Sequence, residues 1–205
     1  MKRIHKQASP ENFERWVKQA HPQKWEELAK VPQIKQELSD QLRLEQGRLC
    51  CYCERRIDKE HSHIEHLRAK DLYPQEMFQY NNLFSCCGDK HSCGHKKDRK
   101  SRKYSEQMVM PLNEDCEGRF IFDGDGQILP TDKNDQHAQD TIEQLGLNSH
   151  KLRGMRKIIY MLYLQLKETS QPEEYQKNVN ETLQRNADGE YAEFWTTIKY
   201  VAEKA

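Results

Sequence analysis

The sequence predicts an α+β protein, mostly helical, in which a small central core and a short β-hairpin interrupt the helices. Three observations predict it. Apolar residues recur at helical spacing toward both ends of the chain, a middle stretch rich in cysteine, histidine and basic residues has no such period, and one segment alternates around a glycine-rich turn.

At the N-terminal end, Ser9-Pro10-Glu11 reads as an N-cap followed by proline at the first helical position, and Phe13, Trp16, Val17 and Ala20 follow at helical spacing until Pro22. Trp25, Leu28 and Ala29 predict a short second helix before Pro32, and Ile34, Leu38 and Leu42 a third that stops near Gly47. From Leu49 to about Lys103 the periodicity dissolves, as expected where metal bonds replace a large apolar core. Phe120, Phe122 and Ile128 then flank Asp123-Gly124-Asp125-Gly126, a hairpin whose glycines suit positive φ. The Asp-x-Asp start lacks the third acidic position and terminal glutamate of an EF-hand, which argues against calcium. Beyond it, Ile142 and Leu145 close a short helix, and Asn148-Ser149 can cap a longer one carrying Leu152, Met155, Ile159, Leu162 and Leu166. Pro172 starts another with Tyr175, Val179 and Leu183, and Phe194, Trp195, Ile198 and Val201 mark a last one after the break at Asn186 to Gly189.

Lys plus Arg and Asp plus Glu stand at 33 each, so the whole-chain charge of zero identifies no partner. Its distribution is more informative: Gly47 to Lys103 holds thirteen Lys/Arg against eight Asp/Glu, a surplus of five where a polyanion could bind. Met1 to Gln7 is basic without an apolar run behind it and does not read as a secretory signal. The longest apolar run, Ile158 to Leu164, is far below the roughly 20 residues needed to span a bilayer, so it reads as buried helix and no membrane is expected. Six of the seven cysteines lie between Cys50 and Cys93, interleaved with histidines, which points to a reducing cytoplasm and a metal.

Cys50-Cys51-Tyr52-Cys53 contains a C-x-x-C pair, and Cys87 and Cys93 offer a second, with Cys86 the alternative to Cys87. Two such knuckles suit a tetrahedral thiolate Zn²⁺ site. Cys50 and Cys53 form the first pair, because Cys51 would leave a loop of one residue. A thioredoxin-like redox pair would want a βαβ context, and helices precede this one. A closed four-cysteine site has no open coordination position, so any chemistry must use other residues.

Between the knuckles lies Ser62-His63-Ile64-Glu65-His66-Leu67-Arg68, followed by Tyr80-Asn81-Asn82-Leu83 and then Cys93-Gly94-His95-Lys96-Lys97. This order resembles the HNH, or ββα-metal, nuclease motif. The resemblance implies an acidic-histidine pair ending one strand, an asparagine before leucine in the linking segment, and a histidine near the last zinc cysteine opening a helix. It implies a zinc-stabilised ββα-metal core, and its usual asparagine-to-cysteine spacing of five favours Cys87 over Cys86. Hydrolysing a phosphodiester needs a base for water, a cation for the phosphate and leaving oxygen, and positioning of both. His66 is the candidate base, and Glu65 and His95 would hold Mg²⁺ or Mn²⁺. Asn82, as the resemblance implies, would fix the loop that orients the base. Adjacent residues of a flat strand point to opposite faces, so the strand should end or bend at Glu65-His66. His95 and Asp98 share a helical face, making Asp98 a second ligand or a ligand's partner. Cys-Gly-His departs from the commoner pattern of histidine directly after cysteine, which makes His91 and Asp98 the alternatives to His95. Lys96, Lys97, Arg99, Lys100, Arg102 and Lys103 would contact nucleic-acid phosphates. His61, His63 and His91 read as solvated or supporting histidines.

The fuller string, Cys50 to Ile57 with Ser62 to His66, Asn82-Leu83 and Cys93 to Lys97, is similar to the PtuB-like HNH proteins of Septu and retron anti-phage systems. Phe120-Ile121-Phe122, Asp125 to Ile128 and Thr141 to Asn148 are similar to that family's downstream hairpin and helix. The resemblance implies a bacterial defence effector with an ATPase partner, in some systems alongside a reverse transcriptase and its DNA product. DNA is the expected substrate, structured RNA the alternative, and a non-catalytic zinc module that binds nucleic acid or a partner the rival reading. The expected organisation is one compact unit: a helical region over 1–47, a zinc-braced HNH nuclease core over 48–115, and a β-hairpin with C-terminal helices over 116–205. Trp16, Trp25 and Trp195 are candidates to face a partner.

Overall fold

Prolines and apolar spacing set the first helices. The computed structural model describes residues 1–100 and 108–204, without the side chains of 98–100. Helix α1 (Glu11–Ala20) follows Pro10 and stops at His21, whose φ of 45° turns the chain out of the helix. Helix α2 (Pro32–Glu45) has proline in its first turn. Gly47 follows at φ 61°, and the ring of Tyr191 lies where any Cβ there would stand. The expected second helix is a 3-10 turn over Trp25–Lys30. Glu27 bonds back to the amides of Gln23 and Lys24, and Pro32 leaves no room for the further turns that would favour the α form.

The middle of the chain folds as strand β1 (Ser62–His66), strand β2 (Leu83–Cys87) and helix α3 (Cys93–Lys100). The strands pair antiparallel, with His63 opposite Cys86, Glu65 opposite Phe84 and His66 opposite Leu83. A second antiparallel pair joins β3 (Phe120–Phe122) to β4 (Ile128–Pro130). Its turn is closed by Asp123, whose Oδ1 accepts from the amides of Asp125 and Gln127, and by Gly126 at φ 72°. Helices α4 (Gln136–Gln144), α5 (His150–Thr169), α6 (Pro172–Leu183) and α7 (Trp195–Lys204) complete an α+β architecture. Asp135 caps α4 and Ser149 caps α5 through their side chains. No helix of the described residues is long and apolar enough to cross a membrane.

Two apolar clusters sandwich the β1–β2 hairpin. On one side Phe13, Leu28, Leu38 and Leu42 pack with Tyr80 and Leu83, joined by Ile64, Trp16, Trp25 and Phe78. On the other, Phe84 and the buried cysteines pack with Phe120, Leu145, Leu152 and Phe194. Because side chains alternate across a strand, a hairpin between two cores must send consecutive residues into different surroundings. That alternation positions the site.

Candidate metal and catalytic site

Cys50, Cys51 and Cys53 lie in the loop before β1, Cys86 and Cys87 end β2, and Cys93 opens α3, so the hairpin and helix bring six buried, unpaired thiols together. The sulfurs of Cys50, Cys86, Cys87 and Cys93 lie within 4.8 Å of one another. Cys50 and Cys93 stand 3.9 Å apart, Cys53 and Cys87 3.9 Å, and Cys50 and Cys86 3.8 Å. Thiolates about 2.3 Å from a tetrahedral zinc ion are about 3.8 Å from each other, so these separations fit a metal cradle and are far too long for disulfides. Arg55 Nη2 lies 3.4 Å from Cys87 Sγ. The contact with Cys50 pushes the Cys87 thiol up, but those with Cys53, Cys86 and Cys93 outweigh it and bring it down to about 4. Four thiols in such a cluster could hold zinc. Cys86 enters the tightest quartet in the place expected for Cys53, while Cys53 remains in contact with Cys87.

His63 and Glu65 leave β1 on the face that meets α3. Glu65 is buried, and its Oε1 accepts from Tyr52 Oη at 3.0 Å and pairs with Lys97 Nζ at 2.5 Å. Its Oε2 lies 3.3 Å from His63 Nε2. Burial would push this carboxyl up, but Lys97 and His63 more than offset it and hold it at about 2. The rings of His63 and His95 are 4.5 Å apart and inclined by 32°. Gly94, between the last cysteine and His95, is needed here: a Cβ would stand 2.3 Å from Glu65 Oε2. The Cys-Gly-His sequence therefore lets α3 close down on the carboxylate.

His66 leaves β1 on the opposite face. The strand ends at His66 but does not bend between Glu65 and His66, since the pairing register is continuous through both. Of the two expected alternatives the strand takes the first, ending at His66 without a bend, because each face of the hairpin is fixed by its own core. His66 is 8% exposed, lies edge-on to Trp25 with ring centroids 4.4 Å apart, and places Nε2 3.0 Å from the carbonyl of Met77. A carbonyl only accepts, so Nε2 carries the proton and Nδ1 the lone pair. Burial lowers the His66 imidazole below its ordinary range, outweighing the opposite effect of the Met77 carbonyl. Asn82 is buried, with Oδ1 accepting from Arg68 N and Nδ2 donating to the carbonyls of Arg68 and Glu76. It thereby fastens the loop that carries Met77.

Of the basic run, the described Lys96 and Lys97 are both engaged with the protein's own backbone. Lys97 is buried, donating to the carbonyl of His66 at 2.6 Å as well as pairing with Glu65, and so does not stand on the expected phosphate-facing surface. Lys96 reaches the carbonyl of Glu143 at 2.6 Å. His91 is exposed. The roles expected of Asp98, Arg99, Lys100, Arg102 and Lys103 lie outside the described residues. Tyr52, which pattern reading passed over, and His63, which it read as solvated or supporting, both contact the Glu65 carboxylate. His63 was recoverable, since residues two apart on a strand share a face.

Fold and site together define an α+β protein with a buried thiol cluster able to hold a metal, beside a strand–strand–helix unit bearing an ionised carboxylate and clustered imidazoles. No family model matches the chain. Over 145 residues, 63% of this chain and 68% of the relative, it is 31% identical to a protein of Vibrio cholerae serotype O1 biovar El Tor, provisionally named the HNH endonuclease of retron Vc95. The chain belongs to this family of retron HNH endonucleases.

Proposed function

We propose that the chain is a metal-dependent HNH endonuclease that hydrolyses nucleic-acid phosphodiester bonds, DNA in the first instance, within a bacterial anti-phage defence complex. The partners implied are an ATPase and, in retron systems, a reverse transcriptase and its DNA product. The observation that carries the reading is the His66–Met77 hydrogen bond, which fixes the tautomer of a neutral imidazole and leaves Nδ1 as a proton acceptor. Asn82 acts as a positioning residue by holding the Met77 loop.

With a phosphate at the open end of the hairpin, His66 Nδ1 takes a proton from water, the water oxygen attacks phosphorus, and the bond to the leaving oxygen breaks as that oxygen takes a proton from solvent. A divalent cation bound by Glu65 and His95, Mn²⁺ or Mg²⁺, would supply charge stabilisation at the phosphate and leaving oxygen. The carboxylate's ionised state suits that role. Cys50, Cys53, Cys87 and Cys93 are our choice for the structural zinc, since the 3.9 Å contacts Cys50–Cys93 and Cys53–Cys87 supply two opposite edges of one tetrahedron. Cys86 is the alternative to Cys53.

One observation favours a second reading, a non-catalytic zinc module: His66 is 8% exposed under Trp25, as a core histidine would be. Cleavage of DNA and RNA with Mn²⁺ or Mg²⁺, with and without partners, separates the two when zinc content is measured on the same samples. The nuclease reading expects His66→Ala to lose about 100-fold or more of the cleavage rate while retaining zinc. Undiminished cleavage by a folded His66→Ala protein excludes His66 as the base, and absence of cleavage by the wild-type complex leaves the zinc module.

A further inference from the structure

We propose that His63 is a third protein ligand of the catalytic cation, alongside Glu65 Oε2 and His95, and that Tyr52 and Lys97 are positioning residues that hold the other carboxylate oxygen. The inference rests on the nuclease reading and extends it to the identity of the metal.

The two oxygens of Glu65 have separate surroundings. Oε1 is engaged by the Tyr52 hydroxyl and the Lys97 ammonium, whereas Oε2 is turned to His63 and the start of α3. Anchoring one oxygen fixes the direction of the other. The 3.3 Å between Oε2 and His63 Nε2 is longer than a charge-assisted hydrogen bond of about 2.7–2.9 Å. It matches two donors on one ion: ligands about 2.1 Å from a cation stand about 3.0 Å apart at octahedral angles and about 3.4 Å at tetrahedral ones. Among the described residues His63 Nδ1 is buried without a hydrogen-bond partner, so no second-nitrogen bond seen there commits the ring to another role. The His95 ring stands 4.5 Å from that of His63 and brings a second imidazole beside it, while the donor atom within 4.8 Å of both His63 and Glu65 is the sulfur of Cys86, which belongs to the thiol cluster.

Two imidazoles and one carboxylate form a donor set for a first-row transition cation such as Mn²⁺, Co²⁺, Ni²⁺ or Zn²⁺ in preference to Mg²⁺, whose ligands are oxygen. Three protein ligands leave positions open for a phosphate oxygen and water.

The test is Mn²⁺ titration of the zinc-loaded full chain, following free Mn²⁺ by electron paramagnetic resonance. Spin-echo envelope modulation of the bound ion then counts coordinated histidine nitrogens. Two are expected in the wild type and one in His63→Ala, with Mn²⁺ affinity falling about tenfold or more and zinc content unchanged. His66→Ala should keep wild-type Mn²⁺ affinity while losing cleavage. Mn²⁺ affinity in His63→Ala equal to wild type, or modulation from a single nitrogen in the wild type, overturns the inference. If wild-type cleavage with Mn²⁺ persists in that case, the nuclease reading stands without it; a wild type that neither binds Mn²⁺ nor cleaves removes both. Should His63→Ala lose zinc, the wild-type nitrogen count decides alone.

Discussion

A single hydrogen bond decides what His66 can do. With Met77's carbonyl on Nε2, the neutral ring has one tautomer, and burial favours the uncharged form. The folded-state value is depressed, so the ring stays neutral at neutral pH and gains its proton only as pH falls below the ordinary imidazole range. Long-range ¹H–¹⁵N correlation spectra of zinc-loaded protein should show His66 as the Nε2–H tautomer, titrating below free histidine. A protonated Nδ1 at neutral pH would remove it as the base. At this scale the residue types of the site were legible in the sequence, because Glu-His, Asn and His occur in a chemically meaningful order. Orientation was less so. Lys97 reads as part of a basic run yet is drawn inside by the buried Glu65 carboxylate, and Gly94 reads as a departure from pattern yet is the residue that lets α3 approach that carboxylate.

Elements are held at their ends by polar side chains that periodicity does not reveal. Glu54 follows the first cysteine knuckle at φ 61° and is buried. Its carboxylate accepts from the amide and hydroxyl of Thr196 at 2.8 and 2.6 Å, capping the start of α7. The metal loop and the last helix are thus joined across 142 residues of sequence. Glu54→Ala should destabilise the chain by about 1–2 kcal/mol, as loss of a helix cap does, read as a lowered denaturant midpoint at constant zinc content. An unchanged midpoint would show that the cap contributes nothing. Helices α2 and α5 follow from apolar spacing and their proline or serine starts, and α1 from its spacing, although it begins one residue later than expected, with Pro10 in place of Ser9 at the N-cap. The turn at Trp25–Lys30 did not, since six residues between two prolines carry a helical period without room for a stable α-helix.

For the whole molecule, the organising fact is a β-hairpin placed between two apolar clusters, with the cysteines in one and His66 against the other. The three tryptophans considered as partner contacts are engaged within the fold: Trp16 and Trp25 pack with Phe78, and Trp195 donates to the carbonyl of Leu183. The apolar run from Ile158 to Leu164 is helical but not buried as expected: Ile158, Met161 and Leu162, with Leu166 beyond them, are exposed on α5. Which strand face each site residue occupies depends on these long-range packings, and that is why pattern alone could assemble the site's members but not their arrangement. For His66 and a cation at Glu65 to act together, one phosphate at the end of β1 must be reached from both faces. A crystal structure of the zinc-loaded protein with Mn²⁺ and a short DNA duplex measures this directly through the anomalous signal of the ion. The expected result is a peak beside Glu65 and His95, with the scissile phosphate between it and His66 Nδ1. A phosphate bound away from His66, or no ion at Glu65, would contradict the account.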